Sequence, residues 1–574
     1  MTARLVLGIS AQYHDSAAAL VRDGELVCAM QEERFSRVKN DAALPLAAAR
    51  ACLAQAGLTA NDLDAVVFYE NPFAKLERVL VSTLRSFPRS LRRFPAMMRE
   101  QLGHKIWVLD DIAAGLGVPR KKVLHDDHHA CHAACAFYLS PFTDAAILTV
   151  DGVGEGVTTT ISKGSGTGMT RLRALPYPQS LGLLYGALTA YLGFEVNEGE
   201  YKVMGLAAYG KPSRREELAR ILKTESDGSF ELAPEYFAYD TDADVGFSPA
   251  METLLGARRL PGRPWDLDGS AEDRGYADIA ASLQEATTDA LVGLAREAKR
   301  LTGADNLCIA GGVALNAVAN RDILAKAGFS RVFVPPAAGD AGGAVGAALR
   351  WAYANGAPRG KGLSTAALGA DIDTARARET AHAMGMSHTR TETPAETLVS
   401  HLERGHVVAV AHGRFELGPR ALGQRSILAL PEDRDVRERL NRVIKRREPF
   451  RPFAPSVLAE RASDYFEGAP NDMTQFMVTV CDVKDSAKEK LRAVTHVDGT
   501  ARVQTVTSES APLLASVLQE LARRGRVPVV LNTSLNGAGE PIVGSGEDAL
   551  AFFDSHPVDA MLVGTDLFLT RGGS

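Results

Sequence analysis

The feature that most narrows the fold is a repeated strand–turn–strand pattern. LVLGISAQYHDSAAALV (5–21) and AAILTVDGVGEGVTTTIS (145–162) each run from an apolar strand through an acid-bearing turn into a second strand. LVCAMQ (26–31) extends the first into a meander. Helical patterns alternate with these short apolar runs, the signature of α/β architecture. Two such hairpins predict a duplicated nucleotide-binding fold, each half giving one turn to the phosphate side. LCIAGGVALN (307–316) and RVFVPPAAGDAGGAVGAAL (331–349) read as strand–glycine–helix units that continue the pattern.

At 574 residues the chain exceeds a single core, so two to four domains are expected. After a helix ending near Ala354, NGAPRGKGLST (355–365) reads as a linker, rich in Gly, Pro and Ser and without apolar period. The remainder has strands of its own, VVAVAHG (407–413), FMVTV (476–480) and VPVVLNTS (527–534), and is long enough for an independent core.

A net charge of −6 argues against nucleic-acid and anionic-membrane partners. Neither a long apolar span nor a signal-peptide pattern is present, and the six cysteines are sparse and irregularly spaced. A reduced, cytoplasmic protein is therefore expected.

Against that acidic background stands a local crowd of cations. GPRALGQRSILA (418–429) and KRREPFRPFAPS (445–456) supply Arg420, Arg425, Lys445, Arg446, Arg447 and Arg451, braced by Pro419, Pro449, Pro452 and Pro455. Guanidinium forks bind oxyanions bidentately and prolines pre-set the backbone, so the cluster reads as a pocket for a small anion.

HDDHHACHAACAFYLSPF (125–142) places His128 and His132 on one helical face, with His129 as an alternative partner of His132. Two imidazoles four apart make half a metal site, and Asp340, in the glycine-rich PPAAGDAGG, would complete it for Fe(II) or Zn. Cys131 and Cys135 raise a structural-zinc alternative. His14 and Asp15 occupy the first hairpin turn, where an imidazole suits proton removal at neutral pH. NEGEYKVMGLAAYGKP (197–212), with Lys202, looks shaped around a ligand; QEERFSRVKND (31–41) reads as solvated charge, and the basic, aromatic-interrupted LRSFPRSLRRFPAMMRE (84–100) reads either as a solvated helix pair or as an acceptor-recognising lid.

Taken together, HDSAAAL, QEERFSR, HHACHAACAF, TVDGVGE, YKVMGLAAYGKP, GGVALN, GDAGGAVGAAL, GPRALGQRSILA, REPFRPFAPS and NTSLN span residue 14 to about 536. In that order they resemble the O-carbamoyltransferases of the NodU/CmcH type. The resemblance implies an N-terminal actin/hexokinase-like ATPase (duplicated RNase H-like) domain at 1–354, akin to the tRNA threonylcarbamoyl transferase. A linker at 355–365 and a C-terminal YrdC-like α/β domain at 366–574 would follow. The C-terminal domain would make carbamoyl-adenylate from carbamoyl phosphate and ATP, which travels with Mg2+. Arg420, Lys445, Arg451, Arg502, Asn532 and Ser534 would hold the phosphate, leaving Arg425, Arg446 and Arg447 to the framework or solvent. The N-terminal domain would pass the carbamoyl group to a hydroxyl of a sugar or secondary metabolite, antibiotics among them. There His14 would be the general base, and His128, His132 and Asp340 the ligands of an Fe2+-type metal. Asp151, Gly152, Gly311, Gly312, Asn316 and Lys202 would hold the nucleotide. A homodimer is among the expected assemblies. A tRNA threonylcarbamoyl-type transferase and a sugar kinase of the same superfold are the alternatives.

Overall fold

The computed structural model describes residues 4–92, 94–225, 227–239, 245–433 and 435–571. The chain forms two compact units, Met1–Val27 with Ala42–Gly362, and Cys28–Asp41 with Leu363–Ser574.

One sheet is built from β1 (Leu5–Ser10), β2 (Ala17–Arg22), β4 (Ala65–Phe68) and β5 (Val123–His125) of the first unit and from β3 (Glu25–Gln31), whose residues from Cys28 on are counted with the second, in the order β3-β2-β1-β4-β5. β1 and β2 are antiparallel, with Ser10 opposite Ala17, and β4 and β5 add in parallel. The second sheet takes β6 (Asp144–Val150), β7 (Val157–Ser165) and β8 (Gly168–Pro176). After a small hairpin, β9 (Leu222–Thr224) with β10 (Phe230–Leu232), come β11 (Asn306–Ala310) and β12 (Arg331–Phe333). Its order is β12-β11-β6-β7-β8, with β6, β7 and β8 antiparallel and β11 and β12 parallel to β6. Each sheet thus has one plan: from its first strand, two antiparallel neighbours on one side and two parallel on the other.

All of β1 is buried, and so is β6 beyond Asp144, as strands covered on both faces must be. Helix Asp340–Ala354 packs on β1 and on helix His128–Leu139, and its run of small residues is what admits it. A Cβ on Gly346 would lie 1.8 Å from the Cys131 carbonyl oxygen, and one on Gly8 would lie 1.8 Å from that of Ala344. The stretch 355–362, expected to be a linker, is strapped to this unit. Arg359 donates to the carbonyls of Phe137 and Phe142 and stacks on the Phe137 ring at 4.1 Å.

The second unit is an eight-stranded mixed sheet and a small three-stranded one. Its strands are β13 (His388–Arg390), β14 (Val408–Ala411), β15 (Arg425–Ala429), β16 (Ala454–Leu458), β17 (Phe466–Glu467), β18 (Cys481–Val483), β19 (Thr500–Ala501), β20 (Gln504–Val506), β21 (Val529–Ser534), β22 (Ala560–Val563) and β23 (Leu567–Thr570). The large sheet runs β13-β23-β22-β14-β15-β21-β16-β20. Strict alternation along β14 sends Ala409 and Ala411 to one core, with helices Thr374–Ala383 and Gly546–Ser555. Val408 and Val410 face the other core, with helices Pro394–Glu403 and Pro512–Arg523.

Two sequence expectations fail here. FMVTV (476–480) is not a strand: a short turn of helix ends in Met477, whose φ of 56° breaks any extended run, and its apolar residues serve the core from a loop. QEERFSRVKND is not uniformly solvated, because Gln31, Glu32, Glu33 and Arg34 are all buried.

Candidate functional site

In the first unit, local structure delivers two histidines. The Asp127 carboxylate caps helix His128–Leu139, accepting from the Ala130 N–H at 2.8 Å. His128 is therefore the first helical residue, and His132 lies one turn on along the same face. β6 ends at Val150, leaving Asp151 at its carboxyl end. The Gly311–Gly312 turn presses on that end so closely that a Cβ on Gly311, whose φ is 94°, would lie 2.1 Å from the Val150 carbonyl oxygen. Gly312 N–H donates to Asp151 Oδ1 at 2.8 Å. Asp340 opens the helix that crosses behind.

These elements bring four side chains to one point. His128 Nε2 lies 2.9 Å from Asp151 Oδ2 and 3.1 Å from His132 Nε2. His132 Nε2 lies 3.4 Å from Asp340 Oδ1 and 3.5 Å from Asp151 Oδ2. One ligand atom from each of His128, His132, Asp151 and Asp340 falls within 4.8 Å of all the others. Two imidazole nitrogens and two carboxylates, buried and aimed at a common centre, fit a divalent transition metal. Burial opposes charge on His132, yet Asp151 and Asp340 lift its imidazole to about 10. Burial likewise opposes ionisation of Asp151, but His128 and His132 hold it well below the usual carboxylate range.

The other residues near this centre divide by what their polar atoms already do. His129 is committed elsewhere, Nδ1 to Thr149 Oγ1 and Nε2 to the Val157 carbonyl, both at 2.8 Å, and burial drives its imidazole down to about 3. Cys131 and Cys135 are buried outside the group, and burial pushes the Cys135 thiol up to about 12. Tyr69, which sequence reasoning missed, donates to Asp340 Oδ2 at 3.2 Å. Asp151, expected at the nucleotide, joins the metal-capable group while its second oxygen holds Gly312. Asn316 pairs both amide atoms with Gln284 and caps the helix beginning at Ala317. Gly152 follows Asp151 and lies against Gly182, where a Cβ would meet the Gly152 nitrogen at 2.7 Å. Lys202 stands on helix Glu200–Ala207 with its ammonium 5.7 Å from the Phe194 ring centre.

His14 sits in the turn between β1 and β2, Nδ1 3.0 Å from Asp15 Oδ2. Burial opposes its protonation, but the Asp340, Asp15 and Asp151 carboxylates raise it to about 9. The sequence-expected base and the metal-capable group thus share one electrostatic neighbourhood.

The second unit gathers the cations. Arg502 is held well below the usual guanidinium range, first by burial and then by Arg420, Arg447 and Arg451. Lys445 is likewise pushed well down by burial and by Arg447 and Arg451, opposed by Glu540. Its nitrogen donates to Asn536 Oδ1 at 2.7 Å, the Asn536 carbonyl at 3.0 Å and Ser534 Oγ at 3.3 Å. A π-helical turn, Leu440–Ile444, aims it there, the Lys445 N–H reaching back to the Leu440 carbonyl at 2.8 Å. Asn532, on β21, gives its amide to Ser456 Oγ and Gln504 Oε1, which ties it to the neighbouring strands of the sheet. Arg425 is fully buried and spends its guanidinium on the His412 and Gly413 carbonyls, a framework role. Arg447, expected in the framework or at solvent, does brace the framework, its Nε donating to Asn441 Oδ1 at 2.7 Å and its guanidinium stacking on Phe453 at 4.6 Å, and its charge also acts on Arg502. Like charges crowded this way cost several kcal/mol unless an anion compensates them.

Among the described residues, no helix is long and apolar enough to cross a membrane. Comparison with known proteins bears on the whole chain. An uncharacterized protein of Synechocystis sp. is 40% identical over 97% of this chain and 95% of its own length. The nodulation protein NolNO of Sinorhizobium fredii is 36% identical over 98% of this chain and 80% of its own. Among solved structures, component A of the Acidaminococcus fermentans (R)-2-hydroxyglutaryl-CoA dehydratase matches at 16% identity and a TM-score of 0.34, over 61% of this chain and 98% of that one. The family model for the carbamoyltransferase N-terminus matches residues 5–349, and that for the carbamoyltransferase C-terminus matches residues 399–570. With both models matched in order, the chain belongs to the carbamoyltransferase family and is an enzyme of carbamoyl transfer.

Proposed function

We propose that the protein is an ATP-dependent O-carbamoyltransferase that activates carbamoyl phosphate in its second unit and transfers the carbamoyl group in its first. The crowd of cations around Arg502 carries this reading: it is a site built for a compact phosphate. The balanced sequence is carbamoyl phosphate, ATP and water to carbamoyl-adenylate, pyrophosphate and phosphate. An acceptor alcohol then takes the carbamoyl group and AMP leaves. Arg420, Lys445, Arg451 and Arg502 would grip the phosphate, with Ser534 and Asn532 lining it, in a YrdC-like domain. Arg447 joins them on its position in the cluster.

In the first unit, an actin/hexokinase-like ATPase domain in this reading, the paired sheets of one plan support nucleotide binding over Asp151, Gly152, Gly311 and Gly312. His14 donates Nδ1–H to Asp15, which leaves Nε2 with a lone pair for the acceptor's hydroxyl proton. His128, His132, Asp151 and Asp340 would hold an Fe2+-type metal. When bound, such a cation would supply Lewis acidity and cancel the two carboxylate charges that keep His14 protonated. The acceptor is a small-molecule hydroxyl.

The test is product analysis with carbamoyl phosphate, ATP and a panel of sugar and secondary-metabolite alcohols. Carbamoyl-phosphate-dependent pyrophosphate and AMP, with a carbamoyl mass gain on an alcohol, are expected. ADP as the sole nucleotide product would sink the reading in favour of a kinase.

A further inference from the structure

Residues 28–41 lie at the N-terminal end of the sequence yet belong to the unit that holds the cation cluster. Their side chains grip two loops of that cluster from behind. Gln31 Oε1 accepts the Gly418 N–H at 3.0 Å, and Arg34 donates to the Gly418 carbonyl at 2.9 Å. Both polar groups of Gly418 are thereby captured, two positions before Arg420. Arg34 also reaches Gln31 Oε1 at 3.4 Å, tying the two grips together, and Glu33 pairs with Arg34. From inside, the loop is folded on the Glu416 carboxylate, which accepts the N–H groups of Leu422 and Gln424, each at 2.7 Å.

Arg37 makes the second grip. It donates to the Ile542 carbonyl at 2.7 Å and the Pro541 carbonyl at 3.0 Å, with Asp548 Oδ1 3.6 Å away. The loop so held contains Asn536, whose Nδ2 donates to the Glu540 carbonyl at 2.7 Å and whose Oδ1 receives Lys445. A guanidinium bidentate to backbone fixes a loop better than a single bond, because the planar fork sets direction as well as distance. Buried cations repel one another and would push such loops apart, so the backbone beneath them must be held.

We propose that Gln31, Arg34 and Arg37 form a positioning clamp for the anion pocket, fixing the loops that bear Arg420 and Asn536. They act through those loops. The inference rests on the reading of the cluster as the carbamoyl-phosphate site.

The experiment uses the full-length protein and two probes, inorganic phosphate by calorimetry and carbamoyl phosphate by steady-state kinetics, with Arg451→Ala to locate phosphate in the cluster. Gln31→Leu should weaken phosphate at least tenfold and raise KM for carbamoyl phosphate by a similar factor, with ATP affinity within twofold of wild type. Gln31→Glu, whose carboxylate still accepts both N–H groups, should restore phosphate affinity to within threefold. Arg37→Met, at a partly exposed position, should weaken phosphate at least fivefold and stands in should Gln31→Leu fail to fold. Phosphate affinity within twofold of wild type in the folded variants, or an equal loss of ATP affinity, overturns the clamp. Wild type that binds phosphate but never consumes carbamoyl phosphate overturns the functional reading alone, and phosphate affinity still judges the clamp. Wild type that binds no phosphate overturns both.

Discussion

His132 Nε2 lies 3.4 Å from Asp340 Oδ1, joining a residue one turn inside one helix to the first residue of another. The second oxygen of that carboxylate accepts from Tyr69. Partners behind a metal ligand typically govern affinity by 10- to 100-fold. Tyr69→Phe should therefore lower divalent-metal affinity by about tenfold or more. Competition against a chelator measures it, and unchanged affinity would remove Tyr69 from the site.

The imidazole of His14 is raised to about 9 by three carboxylates acting against burial. In chelator-treated protein, nitrogen-labelled histidine NMR should find it protonated through neutral pH and titrating near 9. Adding a divalent cation should move that titration downward. His14→Ala should slow carbamoyl transfer by about 10²–10⁴ while pyrophosphate release continues.

Arg502 lies among like charges and is largely enclosed, its Nε without a hydrogen-bond partner among the described residues. Replacing a poorly compensated buried charge by an apolar side chain is often stabilising. Arg502→Met should raise stability by on the order of 1 kcal/mol in urea unfolding while crippling carbamoyl-phosphate use. A fold destabilised by that change would contradict the account of the cluster.

Lys445 is depressed well below its ordinary 10.5 by burial and two arginines. Between its lowered value and 10.5, the unfolded chain retains a proton that the folded protein has released. This group therefore makes stability rise with pH across that window, and its penalty is largest below it. A phosphate ligand favours the charged ammonium, so affinity should fall as pH rises through the same window, with proton uptake on binding. Calorimetry in buffers of different ionisation heat reads that uptake, and Lys445→Met should abolish it.

Gly346 faces the Cys131 carbonyl with no room for a methyl group. The nearest atom is backbone, so relief requires helix displacement. Gly346→Ala should cost about 3 kcal/mol in denaturant unfolding, the upper part of the usual overpacking range. It should weaken metal binding as well, because the same helix carries Asp340. A neutral substitution would mean the helices can part without cost.

Much of this was legible in the sequence because it is local. The apolar runs and acid-bearing turns at 5–21 and 145–162 gave β1–β2 and β6–β7, since strand alternation and hairpin turns are short-range. The four-residue spacing of His128 and His132 places them on one face of any helix. The glycine-rich run around Asp340 reads as a strand–glycine–helix unit, but that its helix packs closely on Cys131 was hidden. FMVTV misled because a short apolar run is equally compatible with a buried loop, and a single left-handed residue decides the matter.

What the sequence by itself determined is the alternating α/β plan, the histidine pair and the presence of a locally basic segment in an acidic chain. Only the tertiary structure decided that Asp151 completes the buried group, that His129 is excluded from it, and that Arg447 belongs with Arg502. It alone set Gln31 and Arg34 on Gly418. The physical reason is the range of the forces. Periodicity and capping act within a few residues, whereas the meeting of a carboxylate with an imidazole, or of four cations, is set by which strands neighbour one another in a sheet.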